Sequence, residues 1–149
     1  MLSNPVGLVF DLNGNLLIAE NGNDRVRKLD LSTRVITTFA GGGGGGDNVP
    51  ATQARLSFVN DITRDAAGNV YISEDNSISR ISAATGLIKI VVGAPLGGGP
   101  GSSGDGGPAT AAKLRLPRGL WVDAAGNLFI ADFSNHRIRV VRGPVPGSP

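Results

Sequence analysis

One feature constrains the fold of this chain more than any other: a stretch of about two dozen residues occurs three times. The clearest copy, Gly119 to Val141, reads GLWVDAAGNLFIADFSNHRIRVV. Each copy carries an aspartate before a glycine-containing turn, namely Asp11, Asp65 and Asp123. These aspartates are 54 and 58 residues apart. The chain is therefore built from repeated units of similar length.

Each copy has the pattern of three short antiparallel strands. In the clearest one, the apolar runs Leu120–Val122 and Leu128–Ala131 flank a turn, which predicts a hairpin. The segment Arg137–Val140 then alternates polar and apolar residues, which predicts a third strand. Repeats of 54 to 58 residues that each form a small antiparallel sheet are typical of a β-propeller.

Composition agrees with an all-β fold and excludes several classes of protein. The 23 glycines and nine prolines among 149 residues favour short strands joined by turns over long helices. The chain has no cysteine, hence no disulfide framework or thiolate chemistry, and its formal charge of +2 indicates no particular partner. We see no signal peptide at the start and no apolar run of membrane-spanning length, so no membrane association is expected, and the compartment stays undetermined.

The repeats predict one propeller segment over residues 1–142 and a Pro/Gly tail over residues 143–149. The segment is predicted to contain three blades, at about 5–40, 58–92 and 117–142. Two Gly-rich connectors, 41–57 and 93–116, are predicted to join them. Fourth strands are predicted at 35–40 and 87–92, whereas three prolines in the tail leave blade 3 without an obvious outer strand.

The two connectors are predicted to be built alike. Each contains a Pro-Ala-Thr segment, at Pro50 and Pro108, that is expected to form a helical turn. The six glycines 41–46 are expected to be mobile, because glycine has the most conformational freedom to lose. The segment 93–107 is long for a compact domain and is either functional or disordered.

The third copy identifies a family. The run Pro117 to Asp132, followed by Asn135-His136-Arg137, resembles the NHL repeat, whose name comes from an Asn-His-Leu triplet. The resemblance extends over nearly the whole chain and implies a six-bladed propeller of four-stranded blades. Members of that family mostly recognise proteins or RNA, and a few are lyases or lactonases. Here Asp24 and Ser77 replace His136 in the other two copies.

Three blades are half of such a ring, and this predicts an assembly. A blade buries its faces only against neighbouring blades, so an arc of three ends in two uncovered apolar faces. Two arcs related by a two-fold axis would close a ring of six, which predicts a homodimer. The alternatives are another packing mode, such as strand exchange or a monomeric arc, and a chain that is a fragment of a longer propeller.

The sequence offers no convincing catalytic or metal site. Asp11 to Asn15 resembles the start of a calcium loop, but position 12 of such a loop would be Gly22 instead of glutamate. His136 is the only histidine, whereas lyases with this repeat hold zinc through several histidines. The glycine runs lack the Lys-Ser/Thr of a phosphate-binding loop. We therefore predict no enzymatic activity, no metal and no cofactor.

Two sets of charged residues recur in the repeats. Glu20, Glu74 and Asp132 hold one equivalent position, which favours a structural role as acceptors for loop amides or for the arginines Arg25, Arg80 and Arg137. Further basic residues on or near the third strands are Arg27, Lys28, Arg139 and Arg142. They favour a solvated face whose long stems cover apolar surface, or else a basic rim for RNA.

The predicted function is a non-enzymatic protein-binding or self-assembling scaffold, acting through the loops between strands two and three. The candidate binding residues are Asn21, Asn23, Asp24, Arg25, Asp75, Asn76, Asn135, His136 and Arg137. A protein or peptide ligand is possible on this prediction, and nucleic-acid binding through the arginine-rich faces is one alternative. A fragment of a lyase- or lactonase-like enzyme with a metal in the channel is the other.

Overall fold

The computed structural model describes residues 1–93 and 100–143, and there the chain forms three antiparallel sheets with no α-helix. The first sheet contains β1 (Pro5–Phe10), β2 (Leu16–Glu20), β3 (Arg25–Leu29) and β4 (Ile36–Ala40) in sequence order. The second contains β5 (Val49–Pro50), β6 (Asp61–Arg64), β7 (Val70–Ser73), β8 (Ile78–Ile81) and β9 (Leu87–Val92). The third contains β10 (Pro117–Val122), β11 (Leu128–Asp132) and β12 (Arg137–Val141). The all-β prediction is confirmed.

Each sheet is an up-and-down meander, and the second gains one strand from the preceding connector. Its order is β5-β9-β8-β7-β6, so the short strand β5 pairs outside β9. The third sheet ends at β12 within the described residues. The predicted tail beyond Gly143, like residues 94–99 of the second connector, lies outside the described residues.

The hairpin turns form as the repeated aspartates predict. The Oδ1 atom of Asp123 accepts hydrogen bonds from the backbone amides of Ala125 (2.9 Å) and Asn127 (2.8 Å), and its Oδ2 accepts the Asn127 side-chain amide at 2.7 Å. These hydrogen bonds hold the pKa of Asp123 below its usual value, and the bond from the Asn127 side chain has the largest effect. Gly126 has φ = 79°, which a side chain would resist. The turn interpretation is thus confirmed.

Two apolar clusters join the sheets face to face. The first lies between the first and second sheets and includes Leu17, Val26 and Ile72. The second lies between the second and third sheets and includes Tyr71, Ile78 and Leu120. The strands β1 and β10 both contact β6. The second sheet is therefore covered on both faces.

The two connectors contain the predicted turns, and hydrogen bonds hold part of the glycine run in place. Both contain a short 3₁₀ turn, at Ala51–Gln53 and at Ala109–Ala111, as predicted. Of the six glycines expected to be mobile, three donate backbone hydrogen bonds: Gly41 to Ala51, Gly43 to Ala54 and Gly45 to Gln53. A Cβ on Gly43 would stand 2.1 Å from the Gln53 carbonyl oxygen. Glycine is thus required at Gly43 by a close approach of backbone to backbone, which the entropy argument did not consider, whereas Gly44 and Gly46 meet no atom within 4 Å.

Among the described residues, we find no helix with the length and apolar character needed to cross a membrane.

Candidate functional site

The loops between strands two and three are held by a repeated buried carboxylate. Glu20 accepts the backbone amide of Ser3 at 2.7 Å and the side-chain amide of Asn23 at 3.0 Å through Oε1. Its Oε2 lies 3.7 Å from Nη1 of Arg27. The structural role predicted for this position is present, but the cation is Arg27 instead of Arg25. The guanidinium of Arg25 lies against Gly42.

The third sheet repeats this arrangement. Asp132 accepts the backbone amide of Arg115 at 2.8 Å and the side-chain amide of Asn135 at 2.8 Å. The Nη1 atom of Arg139, and not Arg137 as predicted, lies 3.6 Å from Oδ2. Each of these two carboxylates thereby ties the segment that precedes its sheet, at Ser3 or Arg115, to its own loop and to the third strand.

The second sheet departs from the pattern at Glu74. Ser79 stands where the neighbouring sheets have arginine, and its hydroxyl donates a short hydrogen bond to Glu74, which also accepts the backbone amide of Ser57 at 3.1 Å. Arg80 instead donates to Asn69. Burial raises the pKa of Glu74 to about 7, against hydrogen bonds that lower it. A buried acid that titrates near neutrality therefore lies in the middle sheet.

The predicted binding residues of the first loop mainly serve the junction with the second sheet. The side-chain amide of Asn21 donates to the Val59 carbonyl at 2.9 Å, and Asp24 accepts the Val59 amide at 3.4 Å. Asn23 is bound to Glu20, as described above. These polar groups are thus already used within the chain.

The other two predicted loops behave similarly. The backbone carbonyl of Asp75 accepts the Leu116 amide at 3.0 Å, and its side chain accepts the Asn76 amide. Asn135 donates to the Gly101 carbonyl at 2.6 Å. His136 is exposed in a left-handed conformation. The loops are thus near their connectors, and a ligand role for them stays a prediction.

The arginines form the favoured solvated face only in part: Arg137 and Arg142 are exposed, whereas Arg80 and Arg139 are buried. Arg139 is 8% exposed in its side chain and donates to the Lys113 carbonyl at 2.7 Å, to Ser103 and to Asp105. Arg137, 43% exposed, contacts the same aspartate at 3.6 Å. Both cations therefore bind carbonyl groups of the connector, Arg139 from a buried position and Arg137 from an exposed one. RNA binding stays a prediction.

The exposed apolar surface lies elsewhere, on one face of each terminal sheet. We define the free face of the third sheet as Trp121, Phe129, Ile138 and Val140, which cross-strand pairing places side by side. The Trp121 and Phe129 rings are 5.5 Å apart, and Trp121 is 61% and Ile138 70% exposed. Singly exposed apolar residues need no explanation, but a contiguous set indicates an interaction surface.

The first sheet has the corresponding opposite face. We define the free face of the first sheet as Leu8, Phe10, Arg27 and Ile36, which register and alternation place on one side. Leu8 is 63% and Phe10 54% exposed. The sequence predicted two uncovered flanks but not these residues, because the faces follow only once the turns fix the register.

A third feature, missed from the sequence, is a cavity beside β12. It lies between that strand and the connector segment Gly104–Gly107, has a volume of about 480 Å³, and is partly bounded by Arg139. The only sequence signal was the similarity of the two connectors. Within the described residues, no group of three or more His, Cys, Asp or Glu side chains is placed to hold a metal ion.

Comparison with known proteins supports the repeat assignment. A family model described as NHL repeat matches residues 114–141. Human teneurin-4 is 41% identical over 90 residues, covering 53% of this chain and 3% of that protein. Mouse teneurin-1 is 34% identical over 102 residues, covering 61% and 4%. The chain therefore spans only a small part of these relatives.

Solved structures support the fold alone. A protein of unknown function from Bacteroides thetaiotaomicron superposes with a TM-score of 0.79 at 18% identity, over 91% of this chain and 34% of that one. Virginiamycin B lyase from Staphylococcus aureus gives 0.57 at 20% identity, over 98% and 43%. An auxiliary nutrient binding protein from Bacteroides thetaiotaomicron gives 0.65 at 20%, over 93% and 34%. The structural neighbours are propeller proteins.

Proposed function

We propose that this NHL-repeat protein is a non-enzymatic assembly module whose two free sheet faces bind a second molecule and complete a six-bladed ring. On this proposal each sheet is a blade. The free face of the third sheet of one molecule packs on the free face of the first sheet of the other, and the same contact occurs twice. One observation carries the proposal: the two free faces correspond to the two sides of each junction inside the chain.

That correspondence can be followed residue by residue. Ile138 on the free face of the third sheet is equivalent to Ile78, which is fully buried in the junction between the second and third sheets. Leu8 on the free face of the first sheet is equivalent to Leu120, which is 9% exposed on the other side of that junction. The chain thus carries both halves of a contact that it already makes internally.

The apolar residues of the two free faces favour association. Fully burying a side chain such as Ile or Phe contributes about 1.5–3 kcal/mol. With three or four such residues on each face, the apolar contribution is comparable with the roughly 5–15 kcal/mol by which a domain is stable. This contribution opposes an association cost of about 4–15 kcal/mol, so the mass measurement below decides whether the dimer forms.

Head-to-tail contacts can close or continue indefinitely, and the blade number decides which. A heterologous contact makes a ring when its rotation closes and a filament when it does not. If each junction turns the chain by one sixth of a circle, two molecules of three blades close. Dimerisation is then self-limiting, in contrast to open polymerisation.

Light scattering coupled to size-exclusion chromatography tests the proposal across a concentration range. The protein is expected to elute with twice the monomer mass, and Ile138→Lys and Leu8→Lys are each expected to give monomers. Leu31→Lys is the matched control, because Leu31 is 51% exposed in a turn outside both free faces. It is expected to stay dimeric.

Mixing the two monomeric variants discriminates the geometry. One junction of the mixed pair has both faces intact, so head-to-tail packing predicts partial recovery of a heterodimer. Packing of like face on like face predicts no recovery. A monomeric wild-type protein at high concentration, or absence of recovery in the mixture, would contradict the proposal.

A further inference from the structure

The cavity beside β12 lies where the second sheet has its fourth strand. One wall is the outer edge of β12, which has no neighbouring strand within the described residues. The other wall is Gly104–Gly107. The cavity also reaches apolar residues that line it from below, namely Val92, Ala109, Ala112, Leu114, Ile130 and Val141.

The second sheet shows what occupies this position in a complete sheet. The six lining residues are equivalent, by the repeat alignment, to Ala40, Ala51, Ala54, Leu56, Ile72 and Ile81. Those six residues share one buried cluster with Ile88, whose side chain is 3% exposed on strand β9. The cavity in the third sheet therefore corresponds to the place of a fourth-strand side chain like that of Ile88.

The strand β9 is also bound on its outer side. The backbone amide of Asn48 donates to the Ile88 carbonyl at 2.7 Å, and Ile90 donates to Oδ1 of Asp47 at 3.0 Å. Val49 pairs with Ile88 in the short strand β5. A fourth strand is thus held between the third strand and the connector.

The second connector presents the corresponding groups to the cavity. With Pro108 aligned on Pro50, Asp105 takes the place of Asp47 and Gly106 that of Asn48. Asp105 instead binds Arg139, with Nη2 at 2.6 Å from Oδ1. Both walls of a strand site are therefore present, and its acidic acceptor is exposed beside it.

We propose that this cavity binds one extended segment of a partner polypeptide, which adds to β12 as an antiparallel fourth strand. The segment carries a β-branched apolar side chain where β9 has Ile88, and no proline where its amides pair with β12. Strand addition of this kind takes its affinity from backbone hydrogen bonds and its specificity from pockets for alternate side chains. The chain's own residues 144–149 contain three prolines, whose missing amides oppose this pairing.

This site is separate from the free faces that carry the proposed function. The probe is the octapeptide GLIKIVVG, which copies residues 86–93. Isothermal titration of the full chain is expected to show saturable binding of one peptide per chain. A peptide with aspartate at the second apolar position, GLDKIVVG, is expected to bind at least about tenfold more weakly, because the pocket is apolar.

The chain offers a matched pair of variants. Ala109→Leu fills the cavity and is expected to weaken peptide binding at least about tenfold. Ala111→Leu lies two residues away in the same 3₁₀ turn, is exposed and does not line the cavity. It is expected to change affinity by less than about twofold. Leu8→Lys, which tests the assembly proposal, is expected to keep full peptide affinity.

Several outcomes would overturn the strand site. They are absence of peptide binding, equal binding of both peptides, and binding that Ala109→Leu leaves unchanged. Tighter peptide binding after deletion of residues 144–149 would identify the chain's own tail as the occupant. Loss of a wild-type dimer in Ala109→Leu, with Ala111→Leu still dimeric, would identify a second molecule instead.

Discussion

Replacing Glu74 by glutamine is expected to remove a pH dependence of stability that the second sheet imposes. Glu74 is buried, and burial raises its pKa from 4.5 to about 7. Because burial disfavours the ionised carboxylate, protonated Glu74 favours the folded state over the unfolded one. This contribution to the free energy of unfolding is fully present below pH 4.5 and is lost as the pH rises towards 7. One pKa unit corresponds to about 1.4 kcal/mol, so the loss reaches about 3 kcal/mol above neutrality.

Urea unfolding of wild type and Glu74→Gln at pH 5, 6, 7 and 8 measures this difference. The variant is expected to gain relative to wild type by about 1.4 kcal/mol per pH unit between pH 5 and 7, and to be level above that. Other titrating groups cancel in the comparison. Glu20→Gln is the control, since Glu20 faces Arg27 at 3.7 Å and its substitution is expected to destabilise the protein at pH 8. Parallel pH profiles for wild type and Glu74→Gln would refute the reasoning.

Two further predictions use matched variants measured by chemical denaturation. Gly43→Ala is expected to destabilise the protein by about 1–3 kcal/mol, because its Cβ would overlap a backbone carbonyl, whereas Gly44→Ala meets no atom within 4 Å and is expected to be neutral or stabilising. Similar effects at both glycines would contradict the ordered connector. Arg139→Met is expected to cost about 3–5 kcal/mol, since it leaves buried Asp132 without its cation, and Arg137→Met less than about 1 kcal/mol. A mild effect at Arg139 would show that the connector does not depend on it.

The repetition of the sequence was enough to predict the strands and the turns. Strand alternation and the turn aspartates are local signals, and both appear where expected, as at Asp123 and in β9. The partner of the repeated carboxylate was not predictable in this way. Arg25 and Arg27 alternate onto the same face, but Arg27 lies 3.7 Å from Glu20 whereas the guanidinium of Arg25 lies against Gly42. Which cation meets Glu20 therefore depends on a tertiary contact.

The candidate surfaces show the same division between local and tertiary information. Alternation fixes the face on which a residue lies, but its exposure depends on the presence of a neighbouring sheet. Ile78 and Ile138 hold one repeat position, yet one is fully buried and the other 70% exposed. Because both positions carry isoleucine, the difference in exposure reflects the sheet that covers Ile78, whereas no sheet covers Ile138 within the described residues. An occupant that lowers the exposure of Ile138 to that of Ile78 must present an apolar sheet face like that of Leu120, and the free face of the first sheet carries such a surface at Leu8.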